Sequence, residues 1–192
     1  VVRPAHENPF RTARLHALAF RYPAGDSEDR LIERLAAAGG RGAILGPHGS
    51  GKTTLCLELA SRFRADGMTV RMLRYGEDPT LARPRSLGAW VREAGPQAAV
   101  FVDGAGHLGP LAWWSLLRAS RGVARLIVTA HRRCPLPTLL RTRATAELLA
   151  ELCADLDQPM STARSESLLT ANGDDVRAAL RSMYDAWAEQ RP

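Results

Sequence analysis

Gly46-Pro47-His48-Gly49-Ser50-Gly51-Lys52-Thr53-Thr54 is the stretch that decides how this chain is read. Its spacing is G-x-x-x-x-G-K-T, and Lys52 is the only lysine among 192 residues; every other strong base is arginine. In such a background a lone lysine marks a task that arginine performs badly. A compact ammonium on a thin stem reaches between the β- and γ-phosphates of a nucleotide, where a broad planar guanidinium does not fit easily. The pattern is the P-loop, and it implies a nucleoside triphosphate site. Its glycines let successive backbone N–H groups from Gly46 to Thr54 turn inward as an anion nest, and the following helix adds the positive end of its dipole. Thr53 carries the hydroxyl expected on a magnesium ion. The apolar run Ala43-Ile44-Leu45 before the loop and the helical pattern from Thr54 to Phe63 after it supply the strand–loop–helix setting that the motif requires.

Working outward, the chain has the size of one compact domain, or of one domain with a small appendage, and 45% hydrophobic residues are ample for a core. It contains no apolar run as long as a membrane span, and its N-terminus has no signal-like apolar stretch. Cys56, Cys134 and Cys153 have no metal-like spacing, so a reduced, cytoplasmic protein is expected, without a membrane partner. The net charge of +6 permits a nucleic-acid partner, but arginine bias alone produces such an excess, and no nucleic-acid-reading motif accompanies it.

The hydrophobic pattern predicts a helix over 28–38, opened by Asp26-Ser27 and closed by Gly39-Gly40, then the P-loop strand and helix. A strand is expected over 69–75, a surface loop over 76–85 and a helix over 86–94. Ala98 to Val102 is a continuous apolar run, expected to be a strand buried on both faces and ending at Asp103. A helix over 111–119, a strand over 124–129 and a short fifth strand over 138–143 follow. The remainder, 145–190, has a helical pattern broken near Gln158-Pro159 and Asn172-Gly173. The implied fold is α/β: a three-layer sandwich on a mostly parallel five-stranded sheet, with a small C-terminal helical lid. The expected division is an irregular arm over 1–25, a nucleotide-binding α/β domain over 26–143 and the lid over 144–192.

A magnesium–triphosphate site needs a carboxylate at the end of an apolar strand, the Walker B position, and Asp103 is the residue for it; a turn-capping role is the plain alternative. With these parts in sequence the chain resembles the AAA+ ATPases. In that family the strand carrying the sensor-1 residue lies between the P-loop and Walker B strands. Leu126-Ile-Val-Thr-Ala-His131 is similar to that strand, which puts His131 at the polar sensing position, in reach of the γ-phosphate or the attacking water. Gly173-Asp-Asp-Val-Arg-Ala-Ala-Leu180 is similar to the sensor-2 helix, with Arg177 as the arginine that reaches back to the nucleotide. The resemblance implies ATP and magnesium as cofactors, a magnesium-dependent ATPase, and assembly into an oligomer or with a protein partner. An arginine finger acting between subunits is then expected; Arg118, Arg121, Arg132, Arg133, Arg141 and Arg143 all qualify, and their clustering equally suits a basic face for DNA.

One departure concerns turnover. The family places a glutamate directly after the Walker B aspartate, whereas this chain has Gly104, followed by Ala105, Gly106 and His107. General-base help contributes about a hundredfold or more, so its loss predicts slow hydrolysis. His107 or a partner then supplies the group, or the protein works as a nucleotide switch. Two other readings stay open: a P-loop kinase for a small molecule or nucleotide, and a non-hydrolysing, ATP-bound scaffold associated with DNA. An ABC-transporter ATPase is disfavoured because the Leu-Ser-Gly-Gly signature is absent.

Overall fold

A computed structural model describes residues 7–75 and 84–189. The surface loop expected over 76–85 lies mostly outside the described residues. The chain divides into two compact units, Tyr22–Gly46 with Lys52–Thr142, and Val1–Arg21 with Pro47–Gly51 and Arg143–Pro192.

The first unit is built on a five-stranded sheet: β1 (Arg41–Leu45), β2 (Thr69–Arg74), β3 (Ala98–Asp103), β4 (Arg125–Ala130) and β5 (Thr138–Arg141). All four pairings are parallel, and the order across the sheet is β2-β3-β4-β1-β5. Every residue of β3 is buried, as are all but the first of β1 and β4. Such continuous burial requires helices on both faces of a parallel sheet, and the side chains alternate accordingly. Ala43, Leu45, Val100, Val102, Leu126 and Val128 join one core with α4 (Pro84–Arg92) and α5 (Pro110–Ala119). Phe101 points to the other face, where its ring stands 6.0 Å from Phe63 of α3 (Lys52–Ala65). α2 (Glu28–Ala37) packs near β1 and β5 with Leu31 and Leu35 buried. Ser27 caps α2, its hydroxyl accepting the Arg30 amide at 3.2 Å, and Glu28 and Asp29 complement the helix dipole in the first turn.

The second unit contains α1 (Thr12–His16), α6 (Ala146–Asp155), α7 (Thr162–Ala171) and α8 (Val176–Glu189). Phe10, Leu149, Cys153, Leu169 and Leu180 are among its buried core. Each C-terminal helix opens on a side-chain cap: Thr145 accepts from Leu148 N, Ser161 from Arg164 N and Asp175 from Ala178 N. The N-terminal segment read as irregular holds the one-turn helix α1 and is tied to the C-terminal helices. Asn8 donates through Nδ2 to the Tyr184 carbonyl at 3.0 Å, while its Oδ1 accepts the Phe10 amide at 2.9 Å. Arg14 pairs with Asp157 at 2.7 Å, and Arg21 pairs with Asp155. Burial pushes the Cys153 thiol up to about 11 and the Cys56 thiol further, so both stay protonated, and all three cysteines are free. No helix of the described residues is long and apolar enough to cross a membrane.

Candidate functional site

Parallel strands that all point one way deliver their C-terminal ends to one edge of the sheet, and the polar residues of interest in the first unit lie there. β1 ends at Leu45 and leads into Gly46, whose amide donates to the Ala130 carbonyl at 3.1 Å, so β4 holds the start of the loop. Lys52, the first residue of α3, is buried and donates through Nζ to the Gly46 carbonyl at 2.9 Å. His131, just past β4, places Nδ1 3.2 Å from the same carbonyl oxygen. A carbonyl only accepts, so this bond needs the proton on Nδ1. The His107 ring stands edge-on to His131 with centroids 6.0 Å apart.

Asp103 closes β3 with only 8% of its surface exposed. Thr53 donates through Oγ1 to Asp103 Oδ2 at 2.8 Å, and Thr129 donates through Oγ1 to Asp103 Oδ1 at 2.5 Å. The Gly104 amide donates in turn to Thr129 Oγ1 at 2.8 Å. Arg74, at the end of β2, brings Nε to 3.7 Å from Asp103 Oδ2. Asp103 therefore does more than cap a turn: it links the ends of β2, β3 and β4 to the first turn of α3. The oxygens of Thr53 and Asp103, adjacent and hard, are the donor type that magnesium prefers.

Gly104 adopts φ 83, in the left-handed region, and leads into a one-turn 3-10 helix at Ala105–His107. That backbone region is uncomfortable for any side chain with a Cβ, at a cost of about 1–2 kcal/mol. The turn after β3 therefore has a backbone shape suited to glycine at position 104.

In the second unit, the loop tip Pro47–Gly51 lies against the start of α8. Ser50 is buried and donates through Oγ to the Pro47 carbonyl at 2.8 Å, whereas Pro47 and His48 are exposed. Gly49 has φ +65, and a methyl group there would stand 1.8 Å from Asp175 Oδ1 and 2.9 Å from the Arg177 amide nitrogen. Only glycine lets the backbone approach the α8 N-terminus this closely. Arg177 therefore sits on the first turn of α8, with its backbone beside the loop tip. Thr54 follows Thr53 on α3 and is half-buried.

No family model matches the chain, and no protein of curated function matches its sequence. In structure it is similar to a threonine-to-valine variant of RuvB from Thermotoga maritima, with a TM-score of 0.54 and 17% sequence identity. The match covers 82% of this chain, which spans 60% of the RuvB chain. The fold is that of the P-loop NTPases.

Across the sheet β4 lies between β1 and β3. Thr129 and Asp175 escaped the sequence reading. A threonine inside an apolar strand reads as a β-former, and an aspartate before a helix reads as a cap. The usable signal for Thr129 was register, since Val102 pairs with Val128 and the next residues on each strand are Asp103 and Thr129.

Proposed function

We propose that this chain binds MgATP at Gly46–Thr54 and works as an AAA+-like nucleotide-dependent switch with slow hydrolysis. The observation that carries the reading is the Thr53–Asp103 hydrogen bond of 2.8 Å at the head of α3, beside Lys52. In this reading the loop amides and Lys52 hold the phosphates, and Thr53 and Asp103 hold magnesium, which when bound neutralises phosphate charge. His131 is the γ-phosphate-sensing residue and Arg177 the arginine contributed by α8. Thr129 and Arg74 are positioning residues that fix the Asp103 carboxylate.

The left-handed Gly104 favours a switch over a fast ATPase, because no carboxylate follows Asp103 to activate water. His107 is the nearest substitute on this turn. A kinase reading gains no particular support from the geometry. The test is phosphate release from MgATP at high protein concentration, alongside Lys52→Ala. Slow release that vanishes in the variant supports the reading; rapid release that survives in the variant contradicts it. Asp103→Asn is expected to weaken binding more with magnesium than without, and equal weakening would remove the metal role from Asp103.

A further inference from the structure

Away from the P-loop, the α4–α5 face of the sheet unit carries a second concentration of chemistry. Arg92 at the C-terminus of α4, Arg118 near the end of α5 and Arg121 just after it line one open cleft of about 490 Å³. Among the described residues no carboxylate pairs with any of the three. Two arginines elsewhere in the unit have carboxylate partners: Arg62 meets Glu28 and Asp66, and Arg71 meets Glu93 and stacks 4.5 Å over Trp90. Three guanidiniums around one cleft, paired with no carboxylate among the described residues, favour an anion between them.

Beside the cleft is an exposed indole. Trp114 is 65% exposed and Leu111, one turn earlier on α5, is 73% exposed, although Trp113 next to it packs on the core. Arg118 Cζ lies 5.9 Å from the Trp114 ring, so one residue belongs to both the cleft and the aromatic platform. An arginine-lined cleft sharing Arg118 with an exposed indole suits a ligand with a phosphate backbone and flat, unpaired bases. Duplex bases are already stacked on one another, and an acidic peptide has carboxylates but no regular succession of ring faces.

We propose that this face binds single-stranded nucleic acid, with backbone phosphate in the Arg92/Arg118/Arg121 cleft and a base stacked on Trp114. The contact involves phosphate and base face, and so is tolerant of sequence. It is independent of the nucleotide site and extends the proposed switch by a partner.

The experiment is fluorescence anisotropy of a fluorescein-labelled oligodeoxythymidylate titrated with the full chain, repeated over a range of salt. Wild type is expected to bind, with affinity falling steeply as salt rises. Trp114→Ala is expected to lose about fivefold or more in affinity. Arg121→Ala should weaken binding and flatten the salt slope by about 0.7, one phosphate contact's share, whereas Arg121→Lys should keep the slope. Both side chains are exposed, and an unchanged thermal melt for each variant checks that the fold survives. No binding by wild type would overturn the proposal. So would binding that ignores both Trp114→Ala and Arg121→Ala, or that is displaced as well by polyglutamate or duplex DNA as by unlabelled strand. The first result means no site; the others mean a general charge effect of a basic protein or an acidic or duplex partner.

Discussion

Thr129 shows how much a single hydroxyl does at the end of a buried strand. It is 1% exposed, donates to Asp103 and accepts from the Gly104 amide, so one side chain orients the carboxylate and anchors the turn after it. Thr129→Val keeps the shape but leaves a buried carboxylate oxygen and an amide without that partner. The expected loss is about 1–3 kcal/mol, read from urea denaturation, with Thr129→Ser close to wild type. Equal stability of the valine and wild-type proteins would show that water replaces the bond at no cost. At Gly104 the expectation runs against sequence logic. Introducing the glutamate that AAA+ proteins carry, Gly104→Glu, should lower stability by about 1–2 kcal/mol because of the positive φ. It should also fail to raise phosphate release, since the side chain would start from a different backbone shape; a gain in turnover would show that the turn adapts.

Among the elements, those marked by apolar runs or by a helical pattern with clear breaks were legible, and those set by a single contact were not. β3 could be read from Ala98 to Val102 because a strand buried on both faces has no polar positions to interrupt it. The three C-terminal helices were legible from the breaks at Gln158-Pro159 and Asn172-Gly173, and the fifth strand from its short apolar run. α1 was not, because five residues are too few for a helical period to emerge from its surroundings. In the candidate site, Gly46–Thr54 and Asp103 stood out in the sequence as motif positions, and the structure brings Thr53 Oγ1 to 2.8 Å from Asp103 Oδ2. The approach of α8 to Gly49 was hidden because it joins residues far apart in sequence, and nothing local in Asp174-Asp175 says which of the two is the cap. That contact gives a prediction at this scale. Asp175→Ala removes the α8 cap and should cost about 1 kcal/mol, whereas Asp175→Asn or Asp175→Ser should recover most of it. Should alanine prove as stable as wild type in chemical denaturation, the start of α8 is held by packing alone.

For the whole molecule, the central claim is that the one lysine in the chain belongs to a working triphosphate site. Sheet order belongs to the P-loop NTPase fold, and Thr53 meets Asp103 at the head of α3, but fold alone does not establish a ligand. A ligand that binds only the folded chain raises its melting temperature by mass action, about 2.7 kcal/mol of stabilisation at a hundredfold excess over the dissociation constant. The most direct measurement is isothermal titration of MgATP into the wild type and into Lys52→Ala, with a thermal melt of each to show that both are folded. Saturable binding by the wild type, lost in a folded Lys52→Ala, is the result this account predicts. Equal binding by the two proteins, or none by the wild type, would contradict it.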